Sequence, residues 1–214
     1  MKEKSKLFIG YYNKSVVLTY IGIIMSILGI INIMHGYEIC GIESVNRVTI
    51  SMIFLVLAGI CDLFDGFIAR KCKRTEQEKQ FGIQIDSLAD IISFVVFPVI
   101  ILSRMAYRHN LLIVVSSLYI LAGVIRLAYF NITTEENKGY FRGLPVTFSA
   151  VIIPLVYMLT LLFNINEITN LMLILYTVIA ILNILNFKLK KPSGIWYGIF
   201  SALAVFVIYG LLIF

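Results

Sequence analysis

Asp62-Leu-Phe-Asp65-Gly66-Phe-Ile-Ala69-Arg70, then eleven mostly polar residues, then Gly82-Ile-Gln-Ile-Asp86-Ser-Leu-Ala-Asp90: this stretch joins the end of one apolar segment to the start of the next. Carboxylates at the ends of membrane helices are costly unless they share a partner. Asp62 and Asp65 are three positions apart and Asp86 and Asp90 four, so on helices each pair falls on one face. Two antiparallel helices would aim all four acids at one point. Converging hard oxygen ligands suit Mg²⁺ or Mn²⁺, and two such ions together suit phosphoryl chemistry. Gly66 and Ala69 carry little side chain, which lets a nucleotide come close to a helix backbone. Arg70 offers a guanidinium to a phosphate. The plainer alternative is a solvated charged rim on two helix ends. A calcium loop is excluded, because it needs alternating ligands in a polar twelve-residue loop closed by a glutamate.

Composition sets the class around this stretch. Sixty per cent hydrophobic residues, 14% charged and a mean hydropathy of +0.93 over 214 residues exceed what a soluble domain could bury, and imply an all-α, polytopic membrane helical bundle. With about 20 apolar residues needed per span, the sequence divides into seven, over 15–34, 47–68, 82–103, 111–131, 145–163, 168–187 and 194–214. The polar residues 71–80 read as a loop. The first apolar run is too long for a signal peptide core and no small-residue cleavage site follows it, so it is expected to stay as a helix. Residues 1–14 mix Lys2, Lys4, Lys6 and Lys14 with Leu7, Phe8, Ile9, Tyr11 and Tyr12, as in a short interfacial helix on an anionic leaflet, or equally in a cationic tail.

Fourteen of the eighteen cations fall in one set of alternate loops, around residues 2–14, 70–79, 138–142 and 188–191, against Arg47, Arg104 and Arg108 in the other. The positive-inside rule then puts the N-terminus and the acidic stretch in the cytoplasm and the C-terminus outside. The net charge of +6 matches anionic inner-leaflet lipid. Nucleic acid is the poorer partner, since the cations are divided among separate loops. Cys40, Cys61 and Cys72 share no metal-ligand or disulfide spacing. Pro98 and Pro154 are expected to bend their helices, and Pro145 to open the fifth. Gly194 and Gly198 form a G-x-x-x-G, a weak helix-packing signal when alone.

The acidic stretch resembles the signature of the CDP-alcohol phosphotransferases, D-x-x-D-G-x-x-A-R followed by G-x-x-x-D-x-x-x-D. Asp62, Asp65, Gly66, Ala69, Arg70, Gly82, Asp86 and Asp90 supply every fixed residue. One departure is an interval between the half-motifs longer than the family usually has. The segments Arg126-Leu-Ala-Tyr-Phe-Asn131 and Tyr140-Phe-Arg142-Gly-Leu-Pro-Val-Thr147 are similar to the phosphatidylserine synthase branch, except that Tyr129 stands where that branch usually has a second arginine.

The resemblance implies a six-helix catalytic core over residues 15–191, an interfacial segment over 1–14 and an additional helix over 192–214 without chemistry. It implies a two-metal site of Mg²⁺ or Mn²⁺ on Asp62, Asp65, Asp86 and Asp90, with Asp90 as general base. It places Gly66, Ala69, Arg70 and Thr19 around the nucleotide, although a membrane threonine more often bonds its own backbone. CDP-diacylglycerol and L-serine are the implied substrates, and a homodimer the implied assembly. A serine pocket needs a cation for the carboxylate; Arg126, Arg142 and Asn131 are its candidates, and the acceptors for the ammonium stay unassigned. Glycerol 3-phosphate or inositol phosphate are alternative acceptors on the same chemistry. A cation transporter is the alternative of another class, against which stands the position of the acids at helix ends rather than in mid-membrane.

Overall fold

The computed structural model describes residues 9–35, 47–133, 139–190 and 194–213. Most of the cationic N-terminal segment, Cys40 and Lys138 lie outside these residues. Residues 9–13 are not helical, and a 3-10 turn over Lys14–Val16, capped by the Asn13 side chain, leads into the bundle. Among the described residues the helices are α1 Val17–His35, α2 Arg47–Lys71, α3 Glu76–Met105, α4 Leu112–Thr133, α5 Ser149–Leu162, α6 Ile168–Ile184 and α7 Ile195–Ile213. Five of them (α1, α2, α3, α4 and α7) are long and apolar enough to cross a bilayer, and α5 and α6 are shorter apolar helices. The chain is a polytopic membrane helical bundle.

Three boundaries differ from the sequence reading. Helix α3 begins at Glu76, so half of the expected 71–80 loop is helical. The cause is a capping box: the Thr75 hydroxyl accepts from the Glu78 N–H at 3.2 Å, and the Glu78 carboxylate accepts from the Thr75 N–H at 2.8 Å. That satisfies two N-terminal donors and lets a polar segment continue the helix outward. Pro145 does not open the fifth helix. It is extended (ψ 140°) and precedes a 3-10 turn over Val146–Phe148. The sixth helix stops at Ile184, and the chain beyond it forms strand β2 Lys188–Lys190, antiparallel to β1 Tyr140–Arg142, with Arg142 opposite Lys188. This short ribbon is the one departure from an all-α chain among the described residues.

The interior is built on close helix approach. A Cβ at Gly59 would lie 2.7 Å from the Ala150 Cβ, and one at Gly123 2.7 Å from Val95 Cγ2, so α2 meets α5, and α3 meets α4, almost backbone to backbone. Gly194 and Gly198 contribute nothing of the kind, since a Cβ at either meets no neighbour. Met52, Leu55, Phe97, Ile101, Ile153 and Met172 fill the centre with no exposed surface. Helix α7 packs on α2 and α5.

Proline explains the polar links between helices. A wide π-type turn over Ile91–Val96 precedes Pro98, and Pro98, with no N–H, denies the Phe94 carbonyl its i+4 donor. The Tyr119 hydroxyl (3.0 Å) and the Ser149 hydroxyl (3.3 Å) donate to that carbonyl instead, and the Tyr176 hydroxyl donates to the Pro98 carbonyl at 2.8 Å. Tyr176→Phe keeps the packing and removes one interhelical bond. It is expected to cost roughly 0.6 to 1.7 kcal/mol, read as a lower midpoint of unfolding in detergent.

Candidate active site

The two half-motifs meet because α2 and α3 form a hairpin across the short link of residues 72–75. Asp62 and Asp65 lie near the last turns of α2. Asp86 and Asp90 lie on α3 just before its π-type turn. Carboxylate oxygens of Asp62, Asp65 and Asp86 lie within 4.8 Å of one another. Asp90 stands outside that set but lines the same small space as Thr19, Asp62, Asp65 and Asp86. Three or four carboxylates at this separation, with no lysine or arginine bridging them in the described set, make an all-oxygen donor set that could hold a divalent metal.

Thr19, on α1, donates its hydroxyl to Asp65 Oδ2 at 2.8 Å, and the contact is buried. The hydroxyl is therefore not turned back on its own helix but spent on an acid. Gly66 is exposed, and a Cβ there meets nothing within 4 Å. Its smallness serves no helix packing and leaves open space beside Asp62 and Asp65. Ala69 and Arg70 are on the final turns of α2; the Arg70 side chain lies outside the described residues. Gly82 differs, with Arg74 and Val16 in ordinary contact distance of a Cβ.

Of two cavities in the described residues, the larger reaches the acids and the smaller has no acid in its lining. The larger, about 420 Å³, has Asp62, Leu63 and Gly66 on one wall, Phe141, Pro145 and Phe148 on another, and Tyr197, Phe200 and Ala204 of α7 on a third. The last helix thus walls a cavity that reaches the acids. The Phe148 and Phe200 rings meet edge to face at 5.4 Å within it. The smaller cavity, about 200 Å³, lies between α4 and α6, with Arg126 and Arg142 in its lining. Arg126 is 5% exposed, and its Nε donates to the Leu144 carbonyl at 3.2 Å. Arg142 is brought there by the β1–β2 pairing, and its Nη1 donates to Asn186 Oδ1 at 3.4 Å. Asn131 is elsewhere, accepting from the Ser87 hydroxyl at 3.0 Å. It braces α4 on α3, so of the three candidates for a carboxylate pocket the structure unites Arg126 and Arg142 and separates Asn131. Thr147, Tyr197 and Phe200 were not legible as cavity residues, since nothing in their spacing brings the loop before α5 to α7.

Comparison with known proteins agrees with this geometry. A family model described as CDP-alcohol phosphatidyltransferase matches residues 12–185. An archaetidylserine synthase of Methanothermobacter thermautotrophicus is 35% identical over 133 residues, 62% of this chain and 56% of the relative. A CDP-diacylglycerol–serine O-phosphatidyltransferase of Methanocaldococcus jannaschii is 30% identical over 182 residues, 85% of this chain and 81% of the relative. One of Helicobacter pylori is 37% identical over 113 residues, 50% of this chain and 45% of the relative. The chain spans about half the length of several of the curated relatives it matches. The matched span takes in α1 to α6, the acid cluster and both arginines of the smaller cavity: the chain belongs to the CDP-alcohol phosphatidyltransferase family.

Proposed function

We propose that this protein transfers the phosphatidyl group of CDP-diacylglycerol to the hydroxyl of L-serine, giving phosphatidylserine and CMP. The observations that carry the reading are an acid cluster within 4.8 Å and, in the same bundle, a small cavity lined by two arginines. The first suits a diphosphate held through divalent cations, the second a small acceptor bearing a carboxylate. The names of the relatives point the same way.

Asp62, Asp65 and Asp86 would hold one or two Mg²⁺ or Mn²⁺ ions. When bound, such ions neutralise charge on the donor diphosphate and on departing CMP. Asp90 accepts the proton of the serine hydroxyl as that oxygen bonds to the phosphatidyl phosphorus and the bond from phosphorus to CMP breaks. Arg126 and Arg142 hold the serine carboxylate. Gly66, Ala69 and Arg70 border the nucleotide, and the larger cavity takes the apolar part of the donor. In this reading the N-terminus and the acids face the cytoplasm and the enzyme works as a homodimer. A reporter fused at the C-terminus should then respond only from outside the cell; a cytoplasmic signal rejects the orientation.

Thr19 gives a graded test of the acid cluster. Thr19→Val removes the donor that aims Asp65 and should raise the cation concentration for half-maximal CMP release by roughly 10- to 100-fold, with Thr19→Ser restoring it. For the function itself, membranes supplied with CDP-diacylglycerol, Mn²⁺ and radiolabelled serine should carry label into chloroform-extractable lipid. Label entering only from glycerol 3-phosphate or inositol phosphate would reassign the acceptor and keep the reaction class.

A further inference from the structure

The family match ends at residue 185, before α7 begins at Ile195, yet α7 supplies one wall of the cavity of about 420 Å³ that reaches Asp62. The two halves of this helix are placed differently. In the second half Val207 and Leu211 are fully buried, and a Cβ at Gly210 would collide with the Met158 side chain of α5, so this half lies tight against the bundle. In the first half Tyr197 and Phe200 are half-buried and line the cavity, while Trp196 and Ile199 are exposed. That half encloses space instead of filling it. Asp62 and Gly66 share the lining with Phe148 and Phe200, whose rings meet edge to face. We infer that Phe200, braced by Phe148, is a donor-selectivity residue: its ring sets the width left for the first carbons of the acyl chains when the diphosphate of CDP-diacylglycerol reaches the acids. This deepens the donor reading and rests on it.

The occupant follows from continuity. One cavity has an acid of the cluster in its lining together with Val56, Ile60, Leu63 and Val151, so a molecule whose diphosphate sits at the acids lays its apolar part against these walls. The volume is near the lower end of the range for drug-sized ligands, roughly 300 to 1,000 Å³, and encloses only the part of the lipid nearest the glycerol. Inside a membrane such walls add no hydrophobic attraction, because lipid tails are as apolar as the side chains. What they can do is exclude, since packed rings yield little to an extra methyl group. The expected signature is therefore a choice among donors by shape. The competing account is a scaffold, in which α7 packs on α2 and α5 and the ring pair only holds it there; all donors would then respond alike.

The test follows CMP release by the full-length enzyme in liposomes with Mn²⁺ and L-serine, or glycerol 3-phosphate in its place. It compares two donors with the same headgroup and ester links, CDP-dioleoylglycerol and the methyl-branched CDP-diphytanoylglycerol. The ratio of kcat/KM for the branched donor over the straight one should rise roughly tenfold in Phe200→Ala, rise less in Phe200→Leu, and fall below the parent's in Phe200→Trp, with the KM for the acceptor unchanged throughout. Phe206→Ala, on the exposed face of the same helix, should leave the ratio as it is. Should the alanine variant fail to fold, the leucine and tryptophan variants decide: shifts in opposite directions support the inference, and a ratio that stays at the parent's value or moves the same way in both overturns it. An alanine variant that loses kcat/KM by the same factor for both donors also overturns it, since that is lost packing. A parent enzyme that releases CMP from neither donor fails at the earlier step, and rejects the donor reading together with this one.

Discussion

Asp90→Asn is expected to lower turnover by a factor on the order of 10² to 10⁴ while the protein still binds CDP-diacylglycerol. The argument is the division of labour among four acids. Asp62, Asp65 and Asp86 make the mutual oxygen cluster. Asp90 lines the same small space as these three but is outside their mutual set, which leaves it for the acceptor. Asparagine keeps the shape and an oxygen that can bind a cation, but it cannot take a proton. Two measurements separate the roles: CMP release at saturating serine, and the shift in melting temperature on adding CDP-diacylglycerol with Mn²⁺. Turnover lost with the shift preserved supports the base. Near-parent turnover, or a loss cured by more Mn²⁺, assigns Asp90 to the cation instead.

Gly66→Leu should separate stability from activity in the opposite sense to most substitutions. Gly66 is helical, exposed and free of any neighbour within 4 Å of a Cβ. Replacing glycine inside a helix removes a backbone entropy cost, so the folded state should gain up to about 1 kcal/mol. The same side chain would project into the cavity beside Asp62, where the donor must lie for its diphosphate to reach the acids. Displacing a substrate by about 1 Å can cost 10²-fold in rate, and a leucine does more than that. A protein that melts higher and turns over on the order of 10²-fold more slowly is the expected result. Unchanged kinetics would mean that the donor does not pass Gly66.

The acid site was legible in the sequence because its information is local. Spacings of three and four put each pair of carboxylates on one face, and the short polar link between two apolar segments implies the antiparallel turn that brings the pairs together. Arg126 was legible because a cation inside an apolar run demands a partner. The capping box at Thr75 and Glu78 was available as a signal and was outweighed by the polarity of its surroundings, so α3 starts earlier than hydropathy places it. The pairing of β1 with β2 was not legible at all. Three-residue strands carry no periodicity, and their partners lie in loops far apart in sequence. Without that pairing nothing places Arg142 near Arg126.

The β1–β2 ribbon also sets an order of events during synthesis. Tyr140–Arg142 cannot find its mate until Lys188–Lys190 has left the ribosome, whereas the last of the four acids, Asp90, precedes Lys190 by 100 residues. A nascent protein therefore owns its acids well before the ribbon that carries Arg142 to the cavity of Arg126 can close.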